Sequence, residues 1–212
     1  MIITAKGDII KLQVYVKPKG EIAVKVFVVR HGESINNLNK QWTGWADVDL
    51  TENGIEDAKE AGKFLGNFSF DKIYSSDLKR AVQTAQNAIP GCEPETSKLL
   101  REINVGSIAN KPLGILTEED KKETRENGYI IFNGESKDEF KSRILNFREK
   151  LENSQCDNIA IFTHGGWLRT FLDIVAGQRL NRDSICCNNC AIGIFEYENK
   201  NWKLHSWINL IK

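Results

Sequence analysis

The chain is expected to fold as an α/β domain of three layers, with helices on both faces of a mostly parallel central sheet and an extra β element at the N-terminus. Three observations carry that expectation. Short β-branched runs alternate with helix-like segments along most of the chain. Two of those runs end in His-Gly, and a helix-like segment begins within a few residues of each. The 212 residues are 41% hydrophobic, enough to fill one core and to exclude wholesale disorder.

Residues 1–23 stand apart as an N-terminal β extension. Ile10, Leu12, Val14 and Val16 alternate with Lys11, Gln13, Tyr15 and Lys17, the pattern of a half-exposed strand, and Pro18-Lys19-Gly20 then turns the chain. Such a strand can dock on a sheet edge or on a second copy of the chain, forming a homodimer. Residues 24–212 make up the main domain. Val24 to Val29 is a β-branched run fit for a buried strand. A helix can begin at Glu33 and reach about Lys40. Thr51 is a plausible N-cap for a helix to about Leu65. Phe70 to Tyr74 reads as a short strand, and Asp77 as the cap of a helix that Pro90-Gly91 stops. Ser136 to Leu151 places Phe140, Ile144, Phe147 and Leu151 on one helical stripe. Ile159 to Phe162 is a second buried strand, followed by a helix from about Trp167 to Val175. Ala191 to Tyr197 and Trp202 to Trp207 close the domain as a strand pair.

Charge excludes several classes. Lys plus Arg and Asp plus Glu are 29 each, so nothing global draws the chain to nucleic acid or an anionic membrane. Any anion must be caught by a local cluster. No apolar run reaches the length of a membrane span, and the first ten residues do not read as a signal peptide. Five cysteines, an odd number, fit a reducing compartment. The expectation is a soluble cytoplasmic protein. Cys187-Asn188-Asn189-Cys190, beside Cys186, could suggest a metal or redox pair. A structural zinc site wants four ligands, however, and a redox pair usually opens a helix, whereas this one precedes a strand. We read these as structural thiols and expect no bound metal.

The chemistry gathers at the two His-Gly strand ends, Val28-Val29-Arg30-His31-Gly32-Glu33-Ser34 and Ile161-Phe162-Thr163-His164-Gly165-Gly166. Strand ends in an open α/β sheet converge on the ligand crevice, and helix N-termini there favour an anion. A single His in this setting is ordinarily a satisfied structural side chain. Two of only three histidines in it point to a shared site. His205 lacks such surroundings and reads as structural. Arg30 and Arg80 each offer a planar fork that matches phosphate oxygens. Alone, Arg80 would be read as a solvated helix residue; after a strand end of the same sheet it gains a functional reading.

Arg30-His31-Gly32-Glu33-Ser34 with Asn37, then Thr43-Gly44-Trp45-Ala46-Asp47 through Gly54, resembles the opening of the phosphoglycerate mutase-like, or histidine phosphatase, superfamily. Ser75 to Ala81 resembles that family's second arginine motif. Leu100-Arg101-Glu102-Ile103 resembles its acid-bearing segment, and Gly134-Glu135-Ser136 and Thr163-His164-Gly165-Gly166 complete the order. The resemblance implies that His31 attacks phosphorus and becomes phosphohistidine. Arg30, Arg80 and His164 would surround the phosphoryl oxygens. Asn37, Thr43, Gly44 and the Gly165 N–H would help hold phosphate or substrate. Glu102 would protonate the leaving oxygen and then activate water; the bland reading of Glu102 is a surface pair with Arg101.

The resemblance implies no cofactor and a metal-independent phosphomonoesterase acting on a small phosphorylated metabolite. Only Ile103 to Asn133 separates the acid segment from Gly-Glu-Ser, shorter than in the family's mutases, and His164-Gly165-Gly166 is closer to the phosphatase branch. Thr43 to Leu50 is close to the mutase pattern, and Ile108-Ala109-Asn110 stands where phosphatases often carry Trp-Glu-Gly. A 2,3-bisphosphoglycerate-dependent mutase and an inactive phospho-ligand-binding member are the alternatives.

Overall fold

The computed structural model describes residues 2–5, 8–11, 23–181 and 185–210. In chain order the strands are β1 (Ile2–Ala5), β2 (Asp8–Lys11), β3 (Ala23–Arg30), β4 (Lys72–Ser76), β5 (Glu95–Ser97), β6 (Asn158–Thr163), β7 (Ile192–Glu198) and β8 (Asn201–Ile208). The helices are α1 (Ile35–Leu38), α2 (Glu52–Leu65), α3 (Lys79–Ala88), α4 (Glu118–Asn127), α5 (Lys137–Glu152) and α6 (Gly165–Ala176). Strands β1 and β2 pair with each other as an antiparallel hairpin. The strand expected through Val16 overlaps β2 only at Ile10 and Lys11; its remaining residues, and the turn at Pro18, lie outside the described residues.

Six strands form one sheet in the order β5-β4-β6-β3-β7-β8. Neighbours from β5 through β3 run parallel, while β7 is antiparallel to both β3 and β8. The alternation within β3 creates the layers. Val24, Val26 and Val28 face a core filled by α5 and α6, through Phe140, Ile144, Phe147, Trp167 and Phe171. Phe27 and Val29 face the other side, against Leu65 of α2 and Ala85 of α3. Strand β6 repeats the scheme with Ile159 and Ile161 on one face and Ala160 and Phe162 on the other. Burying each such aliphatic or aromatic side chain contributes roughly 1.5–3 kcal/mol.

Local capping agrees with most of the predicted helix starts. Thr51 accepts from the Gly54 N–H ahead of α2, and Ser136 forms a reciprocal capping box with Glu139 ahead of α5. Asp77 does not cap α3. The N-cap is Leu78, which provides no side-chain bond, and Asp77 instead pairs with Arg101 through two bonds of 2.6 and 2.7 Å. A bidentate guanidinium is the stronger claimant on that carboxylate. The helix expected from Glu33 is a single turn beginning at Ile35, because Ser34 and Asn37 form its capping box. Helix α6 starts at Gly165, two residues ahead of its expected start. Among the described residues no helix is long and apolar enough to cross a membrane.

Candidate active site

Strand register sets the site. Arg30 pairs with Thr163, and the His31 N–H donates to the Thr163 carbonyl at 2.9 Å, extending the ladder one residue past β3. His31 and His164 therefore leave adjacent parallel strands side by side, with ring centroids 5.2 Å apart. Both are buried, and so is Arg80 in the first turn of α3.

Each histidine is held differently. His31 Nδ1 lies 2.7 Å from the Gly32 carbonyl, which can only accept, so Nδ1 carries the proton and Nε2 keeps its lone pair. Arg80 Nε donates to that Nε2 at 3.2 Å. Neither ring nitrogen of His164 has a hydrogen-bond partner among the described residues. Burial pushes the pKa of each imidazole well below its ordinary value, and Arg80 adds to the effect at both. Both rings are therefore neutral in this state.

Among the described residues no carboxylate contacts Arg80 directly. Its guanidinium donates to the carbonyls of Gly44 and Ala46 at 2.8 and 2.9 Å. The turn that presents them is closed by the Ala46 N–H bonding to the Thr43 carbonyl, and it requires φ of +49° at Gly44. Burial lowers the Arg80 pKa to about 10. Arg30 donates to the Cys187 carbonyl, while its Nε is buried without a partner among the described residues. Neither arginine makes an ion pair among those residues.

Glu102 closes the constellation at the N-terminus of α6. Its Oε2 accepts from the Gly166 N–H and its Oε1 from the Ile103 N–H, both at 2.9 Å. A Cβ at residue 166 would overlap Oε1, so only glycine lets the carboxylate seat there. The reading of Glu102 as a surface partner of Arg101 fails, since Arg101 is taken by Asp77.

The structure thus brings together Arg30, His31, Arg80, Glu102, His164 and Gly165. Thr43 and Gly44 enter as the turn that holds Arg80. Asn37 gives its Oδ1 to Ser34 and to Asn189 Nδ2, so any hold on an anion falls to its own Nδ2. His205 is exposed on β8 and bonds Ser206, away from this cluster. None of the five cysteines forms a disulfide, and among the described residues no three His, Cys, Asp or Glu side chains are grouped to hold a metal ion.

Three supporting side chains escaped the sequence reading. Arg143 binds Glu135 bidentately, at 2.7 and 3.0 Å, and donates to the carbonyls of Leu99, Arg101 and Glu102. It clamps the loop that carries the acid. Trp45 donates its indole N–H to the Glu102 carbonyl at 2.6 Å and stacks against Arg101. Asn189 donates to the His31 carbonyl at 3.0 Å. The Gly-Glu-Ser segment was visible, but nothing in its pattern ties Glu135 to Arg143, eight residues on in the second turn of α5.

Residues 26–210 match the family model described as the histidine phosphatase superfamily (branch 1). The chain is 29% identical over 194 residues to a probable phosphoglycerate mutase GpmB of Yersinia pestis, covering 87% of this chain and 90% of that one. A 61-residue stretch is 54% identical to a 2,3-bisphosphoglycerate-dependent phosphoglycerate mutase of Nitrosococcus oceani, covering 28% of this chain and only 25% of that relative. Among solved structures, phosphoserine phosphatase of Entamoeba histolytica in complex with 3-phosphoglyceric acid superposes with a TM-score of 0.74 at 25% identity, covering 88% of this chain and 97% of that one.

Proposed function

Because the chain belongs to the histidine phosphatase superfamily (branch 1), we propose that it is a phosphomonoesterase that works through a phosphohistidine at His31. One observation carries the proposal: the buried Arg80 and the half-buried Arg30, whose Nε is buried and unpartnered, meet two buried neutral histidines with no ion pair among the described residues. Buried unpaired cations are costly, and a phosphoryl dianion is the ligand that offsets them. The same cationic surround repels a metal ion and takes over the charge stabilisation that a metal supplies elsewhere.

The residues divide the work as follows. His31 Nε2, with its lone pair directed by the Nδ1 bond to Gly32, forms the N–P bond as the P–O bond to the alcohol breaks. Arg80 shifts from Nε2 to a phosphoryl oxygen. Arg30, through its unpartnered Nε, and His164, which takes up a proton from solvent as the dianion binds, hold the others. Glu102 gives its proton to the leaving oxygen. In the second half it takes a proton from water, whose oxygen displaces Nε2 and releases inorganic phosphate. Gly165 N–H, Asn37 Nδ2 and the Thr43–Gly44 turn complete the phosphate cradle.

Brief exposure to a labelled phosphomonoester should trap an acid-labile, base-stable adduct on His31. An adduct on serine or cysteine overturns the proposal. Activity should survive exhaustive chelation, and vanadate should inhibit. The mutase-like stretch of 61 residues favours a second reading, a phosphoglycerate mutase. Isomerisation of 3-phosphoglycerate without net phosphate release would select it.

A further inference from the structure

A cleft of about 960 Å³ opens beside the candidate proton donor. Two of its lining residues are Ile103 and Gly166, whose N–H groups hold the two oxygens of Glu102. From there it follows α6 through Thr170, Ile174 and Gly177, positions that share one helical face. Eleven residues of helix rise roughly 16 Å. Helix α5 supplies another wall through Phe140, Lys141, Leu145 and Arg148. A general acid meets the leaving oxygen, so whatever that oxygen belongs to extends from Glu102 into this cleft. A three-carbon acid would fill only the inner end; a cavity of this size suits a much larger ligand.

The lining gives the ligand's chemistry. Trp42, Leu116, Tyr129 and Phe140 join Ile103 as an apolar wall, and the Trp42 indole N–H is buried with no hydrogen-bond partner among the described residues. Six cationic side chains line the cleft, from Lys121 and Arg125 of α4 to Arg179 beyond α6, against Asp138 and Asp173. One oxygen of Asp173 is already bound by the Leu180 N–H.

Resting on the phosphohydrolase reading of the site, we infer that the substrate is a phosphate ester of a bulky alcohol with a planar, apolar body and a negative charge beyond the scissile phosphate. The leaving-group cleft, not the phosphoryl pocket, selects it.

The test uses three primary alkyl esters of matched leaving-group chemistry. Glycerol 3-phosphate is small, uridine 5′-phosphate is bulky, and orotidine 5′-phosphate adds one ring carboxylate. kcat/KM should rise in that order, by about tenfold or more at the first step. Thr170→Trp, which plugs the cleft one turn past Gly166, should cost both nucleotides about tenfold and leave glycerol 3-phosphate within twofold; Gln178→Trp serves if the first variant does not fold. Lys141→Glu should erase the preference for the carboxylate. Equal rates for small and bulky esters, equal loss for all three in the plugged variant, or an unchanged carboxylate preference overturns the inference. If 4-nitrophenyl phosphate yields neither phosphate nor adduct, the phosphohydrolase reading is what fails. Equilibrium dialysis of orotidine 5′-phosphate then decides the cleft: binding lost in Thr170→Trp supports it, and no binding to the unmodified chain overturns it.

Discussion

His31 and His164 have nearly the same local surroundings. Each follows the last residue of a buried parallel strand, each is followed by glycine, and the rings face each other at 5.2 Å. They differ in what holds them. His31 has a committed tautomer, with Nδ1 anchored on Gly32 and Nε2 turned to Arg80. His164 has two buried nitrogens that the described residues leave unsatisfied. A nucleophile must have its lone pair assigned before substrate arrives, whereas a group that stabilises phosphoryl charge can wait for the ligand's negative charge to draw a proton onto it from solvent. Hydrogen bonding, not sequence context, distinguishes the two rings, and it is the ground on which the proposed mechanism gives them different roles.

The strongest test of that difference replaces each ring in turn. His31→Ala should remove the adduct and lower kcat/KM by roughly 10⁴-fold or more. His164→Ala should still form the adduct, at a rate lower by roughly 10²–10³-fold. Reversed outcomes, read by quenched-flow trapping, would break the comparison.

Glu102 sharpens it, since the helix that follows His164 holds this acid. Glu102→Gln should slow phosphorylation by roughly 10²–10⁴-fold with an alkyl phosphate and far less with a nitrophenyl phosphate, whose leaving group needs no proton. Gly166→Ala should give a weaker form of the same pattern, because the new Cβ displaces Oε1. Equal damage to both leaving groups in single-turnover kinetics would remove Glu102 from proton transfer.

Acidity provides a third probe. Both imidazoles titrate below their ordinary range in the fold, so the unfolded chain takes up protons first as pH falls. The stability they contribute is fully present above about pH 6.5 and is lost as pH falls toward the folded values. Each contributes a slope of about 1.4 kcal/mol per pH unit in that window, or roughly 3–6 °C in Tm for a chain of this size. His164→Asn should flatten the acid limb of Tm against pH. Vanadate should protect more in the unmodified protein than in the variant. The smallest effect is expected at Asn189→Ala, which removes one bond to the His31 carbonyl. A loss of about 0.5–1.5 kcal/mol in transition-state stabilisation, a few-fold in kcat/KM, is the scale of such a bond. A loss as large as that of Glu102→Gln would mean that Asn189 touches substrate.

The order of strands and helices was legible because β3 and β6 are continuous apolar runs and α5 carries a helical stripe, and both histidines were legible because they end the two runs. The segment between Ile103 and Asn133 was not. It holds short 3₁₀ turns and the polar helix α4, none of whose residues is buried. Its shape follows from long-range contacts, such as Trp42 against Tyr129, that no local period encodes. Strand β5 is three residues, Glu-Thr-Ser, recruited by pairing with β4 and not by its own propensity. Asp77 looked like a cap until Arg101, a residue of another loop, claimed it. The Arg143 clamp escaped for a related reason: Glu135 is only eight residues away, but the carbonyls of Leu99, Arg101 and Glu102 that Arg143 holds are more than 40 residues away in sequence.

The sheet order also bears on how the chain is made. Strand β3 is synthesised early, yet its two neighbours, β6 and β7, follow about 130 and 170 residues later. Until they emerge, Val24 to Val29 is an unpaired apolar segment of high β propensity, the kind that pairs with other chains. Closing so long a loop is intrinsically slow. The nascent chain is therefore at its most aggregation-prone before the ribosome reaches β6, and expression at low temperature or slowed translation near that point should change soluble yield more than any substitution on the finished surface.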